Sequence, residues 1–144
     1  MQRRVKRPAE YDDLLNSLRE QIFDTYKDVL IFAACYGLKK NYRKTFSKSG
    51  EPISISIFDN ERDRMIFNII AMKETNFDAN IMSNEQFDDK ITIFEEYACG
   101  GLALLSNLID PKDDRLVDAL LEVISKNGVS ILDEIGDIGH LADL

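Results

Sequence analysis

The residues best suited to chemistry in this sequence are cations interleaved with aromatic rings. Lys39, Lys40, Arg43, Lys44 and Lys48 surround Tyr42 and Phe46 in a stretch that ends on the turn residues Ser49-Gly50-Glu51-Pro52. Ammonium and guanidinium groups neutralise phosphates and aromatic rings stack on unpaired bases, so the combination suits a nucleic acid. Arg3 and Arg4, with Lys6 and Arg7, form a basic N-terminal arm that can supplement it. The nucleic-acid-binding candidates are therefore Lys39, Lys40, Tyr42, Arg43, Lys44, Lys48, Arg3 and Arg4. The same pattern has a structural alternative, in which Lys39 and Lys40 complement a helix C-terminus while Tyr42 and Phe46 anchor a loop to the core.

No other stretch forms a strong catalytic or metal-binding motif. Glycine-rich phosphate loops, Gly-x-Ser-x-Gly, Cys-x-x-Cys and His-Glu-x-x-His spacings do not occur, and the single histidine, His140, stands alone. Cys35 and Cys99 lie inside apolar helical patterns, and each is expected to be a small buried hydrophobe. Carboxylates are abundant, so neighbours such as Asp88-Asp89, Glu95-Glu96 and Asp113-Asp114 carry little weight. Adjacent acids on a helix diverge by roughly 100° and usually form a solvated face. Scattered acids such as Asp63, Glu95 and Glu96 leave a cryptic metal-dependent nuclease as a minor alternative. No cofactor is expected.

These residues must be positioned by a chain of 144 residues, 44% hydrophobic and 31% charged, which is ordinary globular composition. One domain covering residues 1–144 is expected, with residues 1–7 a flexible basic arm and 133–144 an acidic tail. No apolar run approaches the roughly 18 residues that a bilayer span needs. The basic N-terminus has no apolar segment behind it, so a secretory signal is not read there and cytoplasmic residence is expected. The net charge of −8 is split: residues 1–48 hold eleven cations against six acids (+5), and the remainder carries −13. Such asymmetry hints at an anionic partner for one half and a basic partner for the other, or simply at solubility.

Periodicity predicts a mainly α fold, a compact helical domain of about five helices with one short β-strand or hairpin. Pro8 with Glu10, Asp12 and Asp13 suits the start of a first helix, whose apolar face is Tyr11, Leu14, Leu15 and Leu18. A second helix is expected from Ile22 or Asp24 to Leu38, apolar over so much of its circumference that it reads as the central one. Ile53, Ile55 and Ile57 alternate with Ser54 and Ser56 as a half-buried strand. That strand needs a partner near Arg43–Phe46, near Val129–Leu132, or on another molecule.

Asp59 then suits the N-cap of a helix to about Thr75, with Met65, Ile66, Ile69, Ile70 and Met72 on its buried side. Ser83 and Gln86 form a capping-box pattern that opens a long helix from Asn84 to about Leu108. Its stripe is Phe87, Ile91, Phe94, Ala98, Leu102, Leu105 and Ile109. Gly100-Gly101 in its middle costs about 1 kcal/mol per glycine, and implies either close approach of a neighbouring backbone or a kink. Asp110-Pro111 opens a final helix to Lys126, ended by Asn127-Gly128.

Four segments in this order carry a resemblance: Arg4-Val-Lys-Arg-Pro-Ala-Glu-Tyr-Asp-Asp-Leu-Leu15, Ile22-Phe-Asp-Thr-Tyr-Lys-Asp-Val-Leu-Ile-Phe-Ala-Ala34, Phe46-Ser-Lys-Ser-Gly-Glu-Pro-Ile53 and Ile93-Phe-Glu-Glu-Tyr-Ala-Cys-Gly-Gly-Leu102. Together they resemble the DNA phosphorothioation (Dnd) system-associated protein 4 family, over most of residues 3–109. The resemblance implies a bacterial cytoplasm, a setting beside DNA sulfur-modification and restriction genes, and a role in phage or foreign-DNA defence. It brings no catalytic residues with it. The expected function is that of a non-enzymatic accessory protein that binds other Dnd-system proteins, DNA, or both. A DNA-binding transcriptional regulator of the defence operon is the alternative, and a homodimer is one expected assembly.

Overall fold

The computed structural model describes residues 3–125. Its elements are β1 (Arg4–Val5), α1 (Asp12–Gln21), α2 (Tyr26–Lys39), β2 (Ile53–Ser54), α3 (Glu61–Glu74), α4 (Phe87–Ser106) and a last helix, α5, over 116–125. The fold is mainly α with one short antiparallel pair, as the periodicity predicts. Among the described residues no helix is long and apolar enough to cross a membrane. Lys126, the Asn127-Gly128 stop, Val129–Leu132, His140 and the acidic tail lie outside the described residues.

The strand pairing differs from all three expected partners. β1 pairs antiparallel with β2, with Arg4 opposite Ser54 and Val5 opposite Ile53. The stretch at 3–7 is therefore a packed edge rather than a flexible arm. Val5 is fully buried, and apolar burial of that kind contributes about 1.5–3 kcal/mol for a valine-sized side chain. The pairing continues through the Ala9 N–H to the Lys48 carbonyl (3.0 Å) and the Gly50 N–H to the Arg7 carbonyl (2.9 Å). Pro8 accordingly bridges Ser49 and holds extended backbone, so α1 starts only after a 3-10 turn at Ala9–Tyr11. β2 ends at Ser54 because β1 offers only two residues. Ile55–Phe58 then coil into a 3-10 turn that buries Phe58 and leaves Ile57 exposed.

The starts of α2 and α3 follow side-chain caps that the sequence pattern misplaces by a residue or more. Thr25 caps α2 by accepting from the Asp28 N–H (3.2 Å), so the helix begins at Tyr26 rather than at Ile22 or Asp24. Asn60, not Asp59, caps α3 by accepting from the Asp63 N–H (2.8 Å). No side chain caps α4. The Gln86 N–H donates to the Ser83 carbonyl (3.1 Å) in a 3-10 turn, in place of the expected capping box. Asp110 closes an Asx turn onto the Lys112 N–H (2.9 Å) and Asp113 another onto Arg115, which delays α5 from Pro111 to residue 116.

α4 is the central helix, with twelve of its twenty residues buried, whereas α2 buries five of fourteen. Its inner face is the predicted stripe of Ile91, Phe94, Ala98, Leu102 and Leu105, with Phe87 left at the exposed rim. α2 is less central than its composition suggests, because Ile31, Phe32 and Tyr36 are only half-buried and Cys35 is exposed. Cys99 is buried, as expected, and burial pushes its thiol up to about 11. α3 turns Asp63, Phe67, Ile70 and Ala71 inward; Met65 and Ile69, expected inside, are each about half exposed. Phe58, Phe67 and Phe94 meet with ring centroids 4.7–5.9 Å apart, two of the three pairs edge to face.

The glycine pair does not kink α4. A Cβ on Gly101 would collide with the Ala33 carbonyl, and one on Gly100 with the Tyr42 carbonyl. Gly37 on α2 lies equally tight against the Tyr97 carbonyl. α2 and α4 thus cross almost backbone to backbone.

Candidate functional site

The basic segment begins where α2 stops. The Tyr42 N–H donates to the Gly37 carbonyl (2.9 Å) and the Asn41 N–H to Leu38 (3.1 Å), with Asn41 in the left-handed region at φ 55°. This pair of bonds is a Schellman stop. It leaves Lys39 and Lys40 exposed at the negative end of the helix and sends the chain across α4 at Gly100. There the Lys44 N–H donates to the Glu96 carbonyl (3.0 Å), which lays 42–44 along the helix. Tyr42 remains 41% exposed, so neither it nor the half-buried Phe46 is a core anchor.

That path brings Arg43 and Lys44 onto carboxylates of the chain itself. Arg43 donates through Nε to Glu96 (2.7 Å), through Nη1 to Glu74 (2.7 Å), and meets Glu96 again through Nη2 at 2.6 Å. Burial alone would lower the Arg43 pKa, but the hydrogen bonds to Glu74 and Glu96 outweigh it and raise it. The Tyr97 hydroxyl donates to the other oxygen of Glu74. Burial pushes Glu74 up, yet its bonds from Tyr97 and Arg43 hold it below the usual carboxylate range. The Tyr97 phenol, desolvated and tied to that carboxylate, rises to about 12. Lys44 Nζ donates to the Tyr11 hydroxyl and reaches Glu10 at 3.4 Å; the Tyr11 bond is the main reason its pKa rises.

Arg3 is likewise occupied. It donates to Glu95 (3.0 Å) and Thr92 (3.3 Å) and lies 3.6 Å from Asp88, three residues that share one face of α4. Glu95, only 4% exposed, also accepts from the Lys6 backbone N–H, so it staples β1 to α4. Its burial raises its pKa against the pull of Lys6 and Arg3. Arg4, Lys39, Lys40 and Lys48 make no ion pair among the described residues, although Lys40 lies 6.0 Å from the Tyr36 ring. The eight candidates thus divide into three that brace the fold, four outward-facing cations, and the ring of Tyr42.

The scattered acids do not converge. Glu95 meets Arg3, Glu96 meets Arg43, and the fully buried Asp63 meets Lys27 Nζ at 3.0 Å. Among the described residues no group of three His, Cys, Asp or Glu side chains is placed to hold a metal ion. An open cleft of about 550 Å³ beside Arg43 is lined by Glu74, Asp78, Asp89 and Thr92, which makes it acidic.

Sequence reasoning missed Glu74 and Tyr97 as partners of Arg43, and missed a second cluster of Arg7, Arg19, Tyr26 and Lys27. For the second there was a signal: the four residues 22–25 between α1 and α2 keep Arg19 within reach of Tyr26. No curated protein and no solved structure matches the chain. A family model does match, over residues 4–135, nearly the whole length. The chain belongs to the DNA sulphur modification system-associated protein 4 family.

Proposed function

We propose that this chain is a non-enzymatic accessory protein of a bacterial DNA phosphorothioation and restriction system, acting in the cytoplasm in defence against phage or foreign DNA. It works through contact with partner proteins of that system, with DNA contact limited to the outward cations Arg4, Lys39, Lys40 and Lys48. The observation that carries this reading is the internal pairing of Arg43, Lys44 and Arg3. Cations already held by carboxylates must break those pairs to neutralise phosphates, so the strongest part of the apparent DNA surface is engaged elsewhere. Exposed apolar side chains give a protein partner something to cover: Val117, Leu121 and Ile124 recur at helical spacing on α5 at 44–54% exposure.

Co-expression with the products of the neighbouring modification and restriction genes, followed by size-exclusion chromatography, tests the reading. Co-elution with one of them is expected. DNA titrations at several salt concentrations run in parallel, and Lys39→Ala with Lys40→Ala and Lys48→Ala should flatten any salt slope by about 0.9 for each phosphate no longer neutralised. Absence of both co-elution and salt-sensitive DNA binding overturns the proposal. Turnover of DNA by the purified chain would overturn its non-enzymatic part.

A further inference from the structure

Where α1 turns into α2, against the Glu51–Ile57 stretch, lies an open cleft of about 510 Å³ lined by Arg7, Arg19, Tyr26, Lys27, Pro52 and Ile57 among others. Its volume falls within the range of about 300–1,000 Å³ typical of small-molecule sites. Two guanidinium groups share one aromatic ring: the central carbons of Arg7 and Arg19 lie 4.3 and 4.9 Å from the Tyr26 centroid. The ring is fixed in turn, because the Tyr26 hydroxyl donates to Asn16 Oδ1 at 2.7 Å.

These two arginines differ from every cation that braces the fold. Arg7 is only 11% exposed, yet its nearest carboxylate, Asp12, stands 3.8 Å away, too far for a hydrogen bond. Arg19 makes no ion pair among the described residues. The Nε atoms of both are buried and without a hydrogen-bond partner. Arg7 is thus held only by a loose ion pair, and a buried Nε–H without an acceptor on each arginine costs free energy that an anion in the cleft would return. Arg43 and Arg3, both more exposed than Arg7, each have carboxylate oxygens within hydrogen-bond distance. Lys27 is tied to Asp63 and adds no free charge, but α2, a helix of fourteen residues capped by Thr25, starts at the same cleft.

The rest of the lining is not that of a bare oxyanion site. Pro52, Ile53 and Ile57 form an apolar side, and Ile57 is 52% exposed although it lines the cleft. Asp24 and Glu51 are exposed at the lining and carry negative charge and hydrogen-bond acceptors. We propose that this cleft binds a mononucleotide unit, with its phosphate on Arg7 and Arg19, its base against Ile57 and Pro52, and its sugar hydroxyls towards Asp24 or Glu51. The two acids disfavour higher charge, so a monophosphate binds more tightly than a triphosphate. Binding of this kind needs only the cleft and stands apart from the function proposed above.

The test is calorimetric titration of the full chain with the four common ribonucleoside 5′-monophosphates, adenosine triphosphate, adenosine and inorganic phosphate. Saturable binding of at least one monophosphate is expected, at least tenfold tighter than inorganic phosphate, its own triphosphate or its nucleoside. Arg19→Met should weaken it at least tenfold, and Arg19→Lys should restore only part because the planar fork is lost. Ile57→Glu is a second variant, at an exposed position whose change spares the core, and it should also weaken binding. Competition by a 5′-phosphorylated oligonucleotide identifies the unit as a strand end, and no competition identifies it as a free nucleotide; both uphold the cleft chemistry. No saturable monophosphate binding, equal binding of inorganic phosphate, or binding unchanged in both Arg19→Met and Ile57→Glu overturns the proposal.

Discussion

Replacing Arg43 by alanine separates a bracing role from a phosphate-binding one. Arg43 lies 2.6–2.7 Å from carboxylate oxygens of Glu74 and Glu96, with side-chain exposures of 33% for itself and 29% and 15% for its partners. A hydrogen bond to a charged group contributes about 1.5–3 kcal/mol when well shielded, and an exposed ion pair only about 0–1 kcal/mol. One-third exposure places this cluster between those limits. The substitution also leaves two carboxylates beside each other without a cation. A loss of about 2 kcal/mol follows, or about 1 M in urea midpoint for a slope near 2 kcal/mol per molar. The assay is equilibrium urea unfolding of Arg43→Ala, Glu96→Gln and the double variant. The brace predicts a coupling energy of about 1 kcal/mol, since the second substitution removes an interaction that the first has already broken. DNA affinity, if the protein has any, should change little. A stability loss below about 0.5 kcal/mol together with a flattened salt slope for DNA would refute the reasoning and return Arg43 to the phosphate-facing group.

Two further outcomes follow from the same geometry. Gly101→Ala gains about 1 kcal/mol of helix propensity but drives a methyl group into the Ala33 carbonyl, a strain of about 1–3 kcal/mol or more, so unfolding measurements should show net destabilisation; an unchanged or raised midpoint would mean that α2 and α4 separate freely. Glu74 has its pKa lowered in the folded state, so it contributes stability above its unfolded value that is lost as pH falls through the folded one. Tyr97→Phe removes one of the bonds responsible, so Glu74 should contribute less stability at neutral pH, its loss on acidification should be smaller and complete at a higher pH, and its carboxyl titration by NMR should shift up; an unchanged acid loss and titration would remove Tyr97 from the account. The phenol itself, pushed up to about 12, stays protonated and donating throughout that range.

Local pattern told most where a single helix face meets a single core. Ile91, Phe94, Ala98, Leu102 and Leu105 are all buried as the stripe predicts, although α4 is so central that the Tyr97–Ala103 stretch is buried on every side. α3 is apolar on several sides, so periodicity could not tell Phe67 and Ile70 from Met65 and Ile69, and tertiary packing made that choice. The alternation from Ile53 to Ile57 promised a five-residue strand, but a strand is as long as its partner allows, and the partner is the two-residue strand Arg4–Val5, far away in the sequence. The candidate site was legible as a cluster of cations but not as a brace. Its carboxylates stand 31, 53 and 34 residues away, at Glu74, Glu96 and Glu10, and no local pattern connects them to 43–44.

The brace itself depends on how closely α2 and α4 cross. With Gly37 against the Tyr97 carbonyl and Gly101 against that of Ala33, the chain leaving α2 turns at Asn41 directly over Gly100. Only from there does the Lys44 N–H reach the Glu96 carbonyl, and only then does the Arg43 guanidinium meet the Glu96 carboxylate. A side chain at position 100 would lift the Tyr42 carbonyl and carry Arg43 off its partners. Three glycines on two helices therefore turn a phosphate-like cation pattern into an internal clasp. The cations that still face outward do not form a uniform positive surface. Lys48 shares a cleft with Glu10, whose side chain is 65% exposed. A phosphate backbone approaching that surface meets repulsion beside attraction, whereas a protein surface of mixed sign can match both charges, which favours a protein partner over DNA at this end of the molecule.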